Sequence, residues 1–429
     1  MGLSGPQPDV PPNGISSHFR RDPMTMALPG TFLLDPAVID DPYPFYRRLH
    51  AEAPVWHVPG TDVFTVSTYP LLAEAASRVE DFSSHIRFLL YRDEEGLPNR
   101  VSFGDAGVDV LATSDPPVHK VHREVVFSEL VAKRMDALEP EVSEVALGCL
   151  DRAIGDGLVD FMTTVGNIVP ITVMSRLIGF RDSDPMELLR AAFDSTSMLS
   201  ATATLPELES LIVRTLEVEE WIADQLTDAA RNPNDEILGT VARGIADGIL
   251  NLQEGGVLLH TLLSAGGEST TSLLGNAVRM LAEHQDLQHH LRANPECIPA
   301  FIEEALRLES PFRFLLRTVP SDTTLGDVPI PAGATLLLLW GAANRDGGTF
   351  NRPDDIDLER KVPRRHVAFG RGIHHCVGAP LARLEARVVL TALLLHTSAI
   401  HLDPQQPPQW VPSLMVRRHD QLAVQITPR

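Results

Sequence analysis

Hydrophobic positions recur at helical spacing through most of the 429-residue chain. Between Glu141 and Asp247 the pattern describes several amphipathic helices joined by short loops, with breaks at Gly155-Asp-Gly157, Gly179, Pro185, Pro206 and Asn232-Pro-Asn. Asn251 to His284 reads as one long helix, and the scarcity of charges near its centre predicts burial. Shorter helices are predicted after Asp41-Pro-Tyr-Pro, with Asp41 as cap, over Leu71–Val79, and through Phe301-Ile-Glu-Glu-Ala-Leu-Arg307. Short apolar runs mark strands at Val55–Val58, Val63–Val66 and Thr335–Leu339, with an extended segment at Pro311–Arg317. Phe82–Val110 keeps no period and carries glycines and Pro98. Long irregular segments in compact domains serve as lids or stay disordered, and a lid over an active site fits best. The Ser-, Thr- and Ala-rich stretch Ala191–Pro206 suits a mobile substrate-access element. The pattern as a whole predicts an α-rich protein.

Composition changes this picture at the edges. Residues 1–30, with many Pro, Gly and Ser, read as a flexible tail lacking the apolar core of a signal peptide, and residues 31–429 as one domain. No apolar run is long enough to cross a bilayer. Three cysteines make no disulfide framework, which points to a reducing cytosol; Cys149 and Cys297 read as structural. A net charge of −21 argues against a nucleic-acid partner. Residues 360–390 run the other way, with Arg360, Lys361, Arg364, Arg365, Arg371, Arg383 and Arg387 against Glu385 alone. Such a segment is either a cationic face for an acidic protein or a set of internal and solvated arginines.

Three stretches carry candidate chemistry. In Phe369-Gly-Arg-Gly-Ile-His-His-Cys376-Val-Gly378 a glycine-rich turn presents one cysteine just before a helix, where unpaired N–H groups and the helix dipole favour a thiolate. The plain alternative is a small buried hydrophobe. After Asp115-Pro-Pro, His119 and Arg123 stand four apart and project from one helical face, as an anion-binding pair would. Within the long helix stands Ala265-Gly266-Gly267-Glu268-Ser269-Thr270-Thr271. Two glycines there cost about 1 kcal/mol each relative to alanine, which predicts a distortion, with a carboxylate and a hydroxyl in a wet groove. The alternative is helix packing through small residues, with Glu268 reaching a surface cation.

The cysteine loop resembles the haem-binding loop of cytochromes P450. Four further stretches match that family in order: the Asp-Pro-Pro helix, Glu268-Ser269 as the acid–alcohol pair, Glu304-x-x-Arg307, and the meander from Asn344 to Arg360. Leu336–Asp346 and Leu381–Leu390 are similar to mycobacterial and other actinobacterial members. The resemblance implies a mainly helical triangular prism with a small β-rich lobe. It implies haem b ligated by the Cys376 thiolate, which favours O–O cleavage. Phe369, Gly378 and Ala265 would flank the haem, and His119, Arg123, Arg317 and His366 would hold its propionates. Glu268 and Ser269 would relay protons, with Thr270 next in line. The family's usual threonine is Ser269 here, and the expected aromatic of the meander is Ile356. Glu304, Arg307 and Arg360 would form a structural triad. Phe88, Phe103, Thr261, Ser264, Phe312, Leu315, Leu414 and Met415 would line an apolar substrate pocket.

The activity so implied is a monooxygenase, using dioxygen and two electrons from a ferredoxin and its reductase to hydroxylate or otherwise oxidise an apolar small molecule. A monomeric cytoplasmic protein is expected. A peroxide-driven haem enzyme and a non-catalytic haem sensor or carrier are the alternatives; the acid–alcohol pair counts against the first.

Overall fold

The computed structural model describes residues 28–103, 107–127, 130 and 132–429. The expected tail therefore lies outside the described residues except for its last three positions.

The helix predicted over Asn251–His284 is Leu252–Glu283, and it forms the axis of the protein. Its start is set by a capping box: Asn251 Oδ1 accepts the Glu254 N–H at 2.9 Å, and Glu254 Oε2 accepts the Asn251 N–H at 2.7 Å. Ile168–Ile178, Pro185–Met198, Leu205–Arg231 and Ala379–His396 pack around it and bury most of its length. The expected distortion at Gly266-Gly267 is absent, and the helix runs through unbroken. A Cβ on Gly266 would lie 2.0 Å from Met174 Cε, and one on Gly267 3.1 Å from Ile171 Cδ1. The glycines are there for close packing of Ile168–Ile178, as the alternative reading had it.

The β-rich part is small. Val55–His57, Val63–Val66, Thr335–Leu338 and Leu315–Thr318 form one sheet in that order, with a parallel pair at its centre and antiparallel pairs outside. Phe312, expected in the last strand, makes only an isolated bridge to Val416. A second sheet places Ala423–Pro428 between Thr397–Leu402 and Leu158–Asp160. The irregular lid expected over Phe82–Val110 is in part a hairpin, Phe88–Arg92 against Pro98–Ser102. Its turn uses Gly96 at φ +81°, and Phe88, Leu89 and Leu90 are all buried, so no alternation advertises a strand. The helix predicted from Asp41 begins at Tyr43, and Asp41 Oδ1 accepts the Tyr43 N–H at 3.4 Å. Among the described residues no helix is long and apolar enough to cross a membrane.

Candidate functional site

The cysteine loop is held by its own backbone. Cys376 N–H donates to Phe369 O at 2.8 Å, and Gly370 and Gly372 take φ of +69° and +72°. A Cβ on Gly372 would also meet Ala76 O at 3.1 Å. Helix Ala379–His396 then starts with Pro380 in its first turn, so the thiol of Cys376 sits over unpaired amides. The N–H groups of Gly378 and Ala379 donate to the sulfur. Burial pushes the thiol up, and those two donors with Arg123 and Arg383 pull it down; burial prevails. Cys376 keeps solvent contact although protein crowds around its sulfur.

Near the middle of the axial helix, Thr261, Ala265 and Ser269 follow one another at four-residue spacing. Ala265 is exposed and the other two half-buried, although most of the helix is buried. The Ser269 hydroxyl donates to Ala265 O at 2.6 Å and that of Thr261 to Val257 O at 2.8 Å, so both protons point along their own helix. Thr270 is buried on the adjoining side.

Glu268 is not in a wet groove. Its carboxylate is 1% exposed, accepts from Arg418 Nε at 2.7 Å and from Thr196 Oγ1 at 3.1 Å, and Arg418 stacks on Phe193. Burial raises the carboxyl above its ordinary range, opposed by Arg418 and Thr196. The cation that Glu268 reaches is internal, because the C-terminal segment folds over the axial helix at this level. Neither partner is signalled by local sequence, since Arg418 lies 150 residues away.

A second cluster gathers histidines and arginines. The rings of His119 and His374 meet at 4.4 Å between centroids, and Ser84 Oγ lies 3.0 Å from His374 Nε2. Arg123 Nη1 donates to His375 O at 2.9 Å. Arg317 is 5% exposed and donates to the adjacent Leu316 O; burial lowers its guanidinium to about 10, with Asp115 opposing. Burial, Arg317 and His119 hold His374 down at about 3. Asp115 already accepts from Ser83 and the Ser84 N–H. With His119 and Arg317 buried and His374 and Arg123 half-buried, this surplus of donors suits an anionic group.

His366, expected in this cluster, stands elsewhere. Its Nε2 is 2.9 Å from Glu303 Oε2 and its Nδ1 accepts the Ala368 N–H, so both ring nitrogens are engaged. Glu303 also takes Arg383 at 2.6 Å; these partners outweigh burial and hold its carboxyl at about 2. His374 occupies the place that sequence reasoning gave to His366, and its signal was the histidine two residues before Cys376 in the loop motif.

Behind the loop, Glu304 Oε1 accepts from Arg307 Nε and Arg360 Nε, each at 2.8 Å. Its Oε2 accepts from Arg307 Nη2 at 2.8 Å and the Asp357 N–H at 2.9 Å. Arg307 donates onward to Asn344 O, Pro353 O and Asp355 O. This is a buried, fully hydrogen-bonded lock between helix Ile298–Leu308 and the meander, not a surface pair. Ile356 packs against the main core.

Of the expected pocket residues, Phe88, Leu414 and Met415 lie buried in one apolar cluster, with Phe312 and Leu315 packed against it. Phe103 is half-buried beside Gly107. Ser264 is buried, off the Thr261–Ala265–Ser269 stripe. A cavity of about 660 Å³ lies apart from the cysteine, between Leu34, Arg92, Arg214, Trp410 and Ser413. In the cationic segment Arg360, Arg383 and Arg387 pair with Glu304, Glu303 and Glu139, while Lys361, Arg364, Arg365 and Arg371 remain exposed.

The Cytochrome P450 family model matches residues 247–422. The chain is 38% identical over 405 residues to Cytochrome P450 144 of Mycobacterium tuberculosis, covering 94% of this chain and 93% of that protein. It is 30% identical to the Beta-dihydromenaquinone-9 omega-hydroxylase of Mycobacterium bovis, over 92% of this chain and 78% of the other. The crystal structure of CYP109E1 from Bacillus megaterium in complex with testosterone superposes with a TM-score of 0.82 at 26% identity, over 91% of this chain and 99% of that one.

Proposed function

The chain belongs to the cytochrome P450 family and is a monooxygenase of that family, and on this premise we propose that it binds haem b through Cys376 and oxidises an apolar small molecule. The observation that carries the reading is the pairing of a thiol that accepts two backbone amides with a separate, largely enclosed set of arginine and histidine donors. The residues fit the group on both counts. The amides of Gly378 and Ala379 aim at the sulfur and would stabilise the thiolate that an iron ligand must be. Arg317, His119, His374 and Arg123 would hold the propionates, whose charge would add to that of Asp115 opposite the two arginines. When bound, haem supplies the activation of dioxygen and the transfer of one oxygen atom to substrate.

The protein's own part is placement, proton supply and exclusion of water. Phe369 and Gly378 would border the cofactor on the thiolate side, and Ala265, exposed in the middle of the axial helix, would border it on the other. Glu268 would hand on the proton, burial raising its carboxyl above the ordinary range against the pull of Arg418 and Thr196. Ser269, whose own proton is tied to Ala265 O, would present its oxygen lone pairs to a water. Thr270 is the second hydroxyl in reach of this role. The apolar cluster of Phe88, Phe312, Leu315, Leu414 and Met415 supports an apolar or amphipathic substrate, as do relatives named for a menaquinone and solved with testosterone. Electrons would arrive from a ferredoxin and its reductase at the face of Lys361, Arg364, Arg365 and Arg371. A monomeric cytoplasmic enzyme fits these features.

The test is a compound library screened for a Soret shift, followed by turnover of the hits with NADPH and surrogate ferredoxin and reductase. Oxygenated product in proportion to NADPH is expected. Tight ligands that are never oxidised would make the protein a haem-bound carrier. The reduced CO complex should absorb at the thiolate position and lose that band in Cys376→Ala; an unchanged band in the variant would refute the ligand assignment.

A further inference from the structure

Beside the Thr261–Ala265–Ser269 stripe, the axial helix carries a second row at the same spacing, made of His260, Ser264 and Glu268. The row is buried, at 5%, 5% and 1% exposure. Two of its polar atoms, His260 Nε2 and Ser264 Oγ, are fully enclosed and have no hydrogen-bond partner among the described residues. Native interiors leave few such atoms, and the usual remedy is an ordered water bridging them. The other ring nitrogen, His260 Nδ1, lies 3.7 Å from Glu219 Oε1, on helix Leu205–Arg231. The Glu219 side chain is 31% exposed. The row therefore has a wet end at Glu219 and a dry end at Glu268.

Packing alone explains this poorly. A histidine kept only to pair with Glu219 leaves an enclosed nitrogen unsatisfied, at a cost that leucine would avoid. Ser264 repeats the fault one turn on, on the same helical face. Two orphaned groups in line, between a solvated carboxylate and a buried one, are what a chain of proton carriers requires.

We propose that Glu219, His260 and Ser264 form a proton inlet from solvent to Glu268, an inference that rests on the reading of Glu268 as the proton donor. Glu219 takes a proton from water and passes it to His260 Nδ1. His260 releases its Nε2 proton to a bridging water, leaving a neutral ring of the other tautomer, which ring reorientation resets. The water hands a proton to Ser264 Oγ, whose own proton moves on. Glu268 lies one turn further, about 6 Å along the axis, within reach of a second water. No charge remains on His260 or Ser264, and Glu268, on taking the proton, exchanges its ion pair with Arg418 for a neutral hydrogen bond.

The test uses the holoenzyme with NADPH and surrogate ferredoxin and reductase in excess, and reads oxygen consumption in H₂O and D₂O without added substrate. His260→Leu should slow oxygen consumption roughly tenfold and raise the solvent isotope effect, below the usual 10²–10⁴-fold of acid–base groups because water partly substitutes. Ser264→Ala should slow it several-fold, and Ser264→Thr should retain the rate. The amount of thiolate-type CO complex should be unchanged in each. Glu219→Gln, at the solvated end, decides the matter if His260→Leu folds poorly. Wild-type rates and isotope effects in His260→Leu, Ser264→Ala and Glu219→Gln, beside a slow Glu268→Gln, would overturn the inlet and leave Glu268 in place. A Glu268→Gln variant as fast as wild type would instead remove the acid assignment on which the inlet depends.

Discussion

Arg418 Nε sits 2.7 Å from Glu268 Oε1, in the interior of the protein and 150 residues away in sequence. The pair ties the axial helix to the C-terminal segment. It also decides the ionisation of the one acid on that helix with a proposed role in proton supply.

Removing one member should be far more damaging than removing both. Arg418→Met leaves a buried carboxylate unpaired, and loss of one partner of a buried pair typically costs about 3–5 kcal/mol. Neutralisation of Glu268 limits the loss, so about 3 kcal/mol is expected at neutral pH. The sign follows from linkage. Glu268 has its folded-state range raised above the ordinary 4.5, and Arg418→Met raises it further. The folded state then binds more protons than the unfolded one, so the variant's deficit shrinks as pH falls toward 5 and grows as pH rises. Arg418→Met with Glu268→Gln should recover most of the stability. Denaturant midpoints at pH 5, 7 and 8 check the series; a pH-independent deficit would contradict it.

Arg317→Met should separate cofactor retention from folding. Among the described residues the buried guanidinium donates only to a neighbouring carbonyl, so methionine removes a desolvation cost from the apo-protein. Loss of a charge-assisted bond of about 1.5–3 kcal/mol should weaken haem affinity tenfold or more. Haem transfer to apomyoglobin measures the second effect and thermal unfolding of apo-protein the first. A variant unstable without haem yet normal in retention would show a purely structural arginine.

Ser269→Ala should leave the CO spectrum normal and lower product per NADPH, with the difference appearing as peroxide. Because the serine proton is already held by Ala265 O, the lost function is that of an acceptor. Ser269→Thr should keep coupling. Full coupling in Ser269→Ala, lost in Thr270→Ala, would transfer the role to Thr270.

Reduction by an acidic ferredoxin should slow as salt rises, since exposed charges are screened over about 8 Å at physiological ionic strength. Arg371 is exposed and braced by Tyr69, whose hydroxyl accepts from Nη1 at 2.8 Å, so Arg371→Glu should slow electron transfer while sparing the fold. Arg383→Glu should damage the fold, because that residue is bound to Glu303. Stopped-flow reduction across a salt series distinguishes these results from a salt-independent rate.

What was legible in the sequence was what is encoded locally. The axial helix announced itself through its apolar length, and the cysteine loop through glycines, two of which take positive φ. Glu304-x-x-Arg307 was visible as a pair, but its burial depended on Asn344, Pro353, Asp355 and Arg360 arriving from elsewhere. The glycine pair at 266–267 was ambiguous because a weak helix and a tightly packed one look alike until Met174 and Ile171 are in place. Phe88–Arg92 escaped notice because its first three residues are all buried, which erases the alternation of a half-exposed strand. His366 and His374 are both near the cysteine, and only tertiary contact with Glu303 or His119 tells them apart.

The C-terminal segment has a temporal meaning. Arg417 reaches back to Asp40 O, 377 residues earlier, Arg418 neutralises Glu268, and Ala423–Pro428 is the middle strand of its sheet. During synthesis each of these partners waits for the last dozen or so residues to leave the ribosome. Until then Glu268 must stay protonated or hydrated, because the C-terminal segment has not yet folded over the axial helix. A chain cut back before Arg417 would lose all three long-range ties at once and should retain haem poorly.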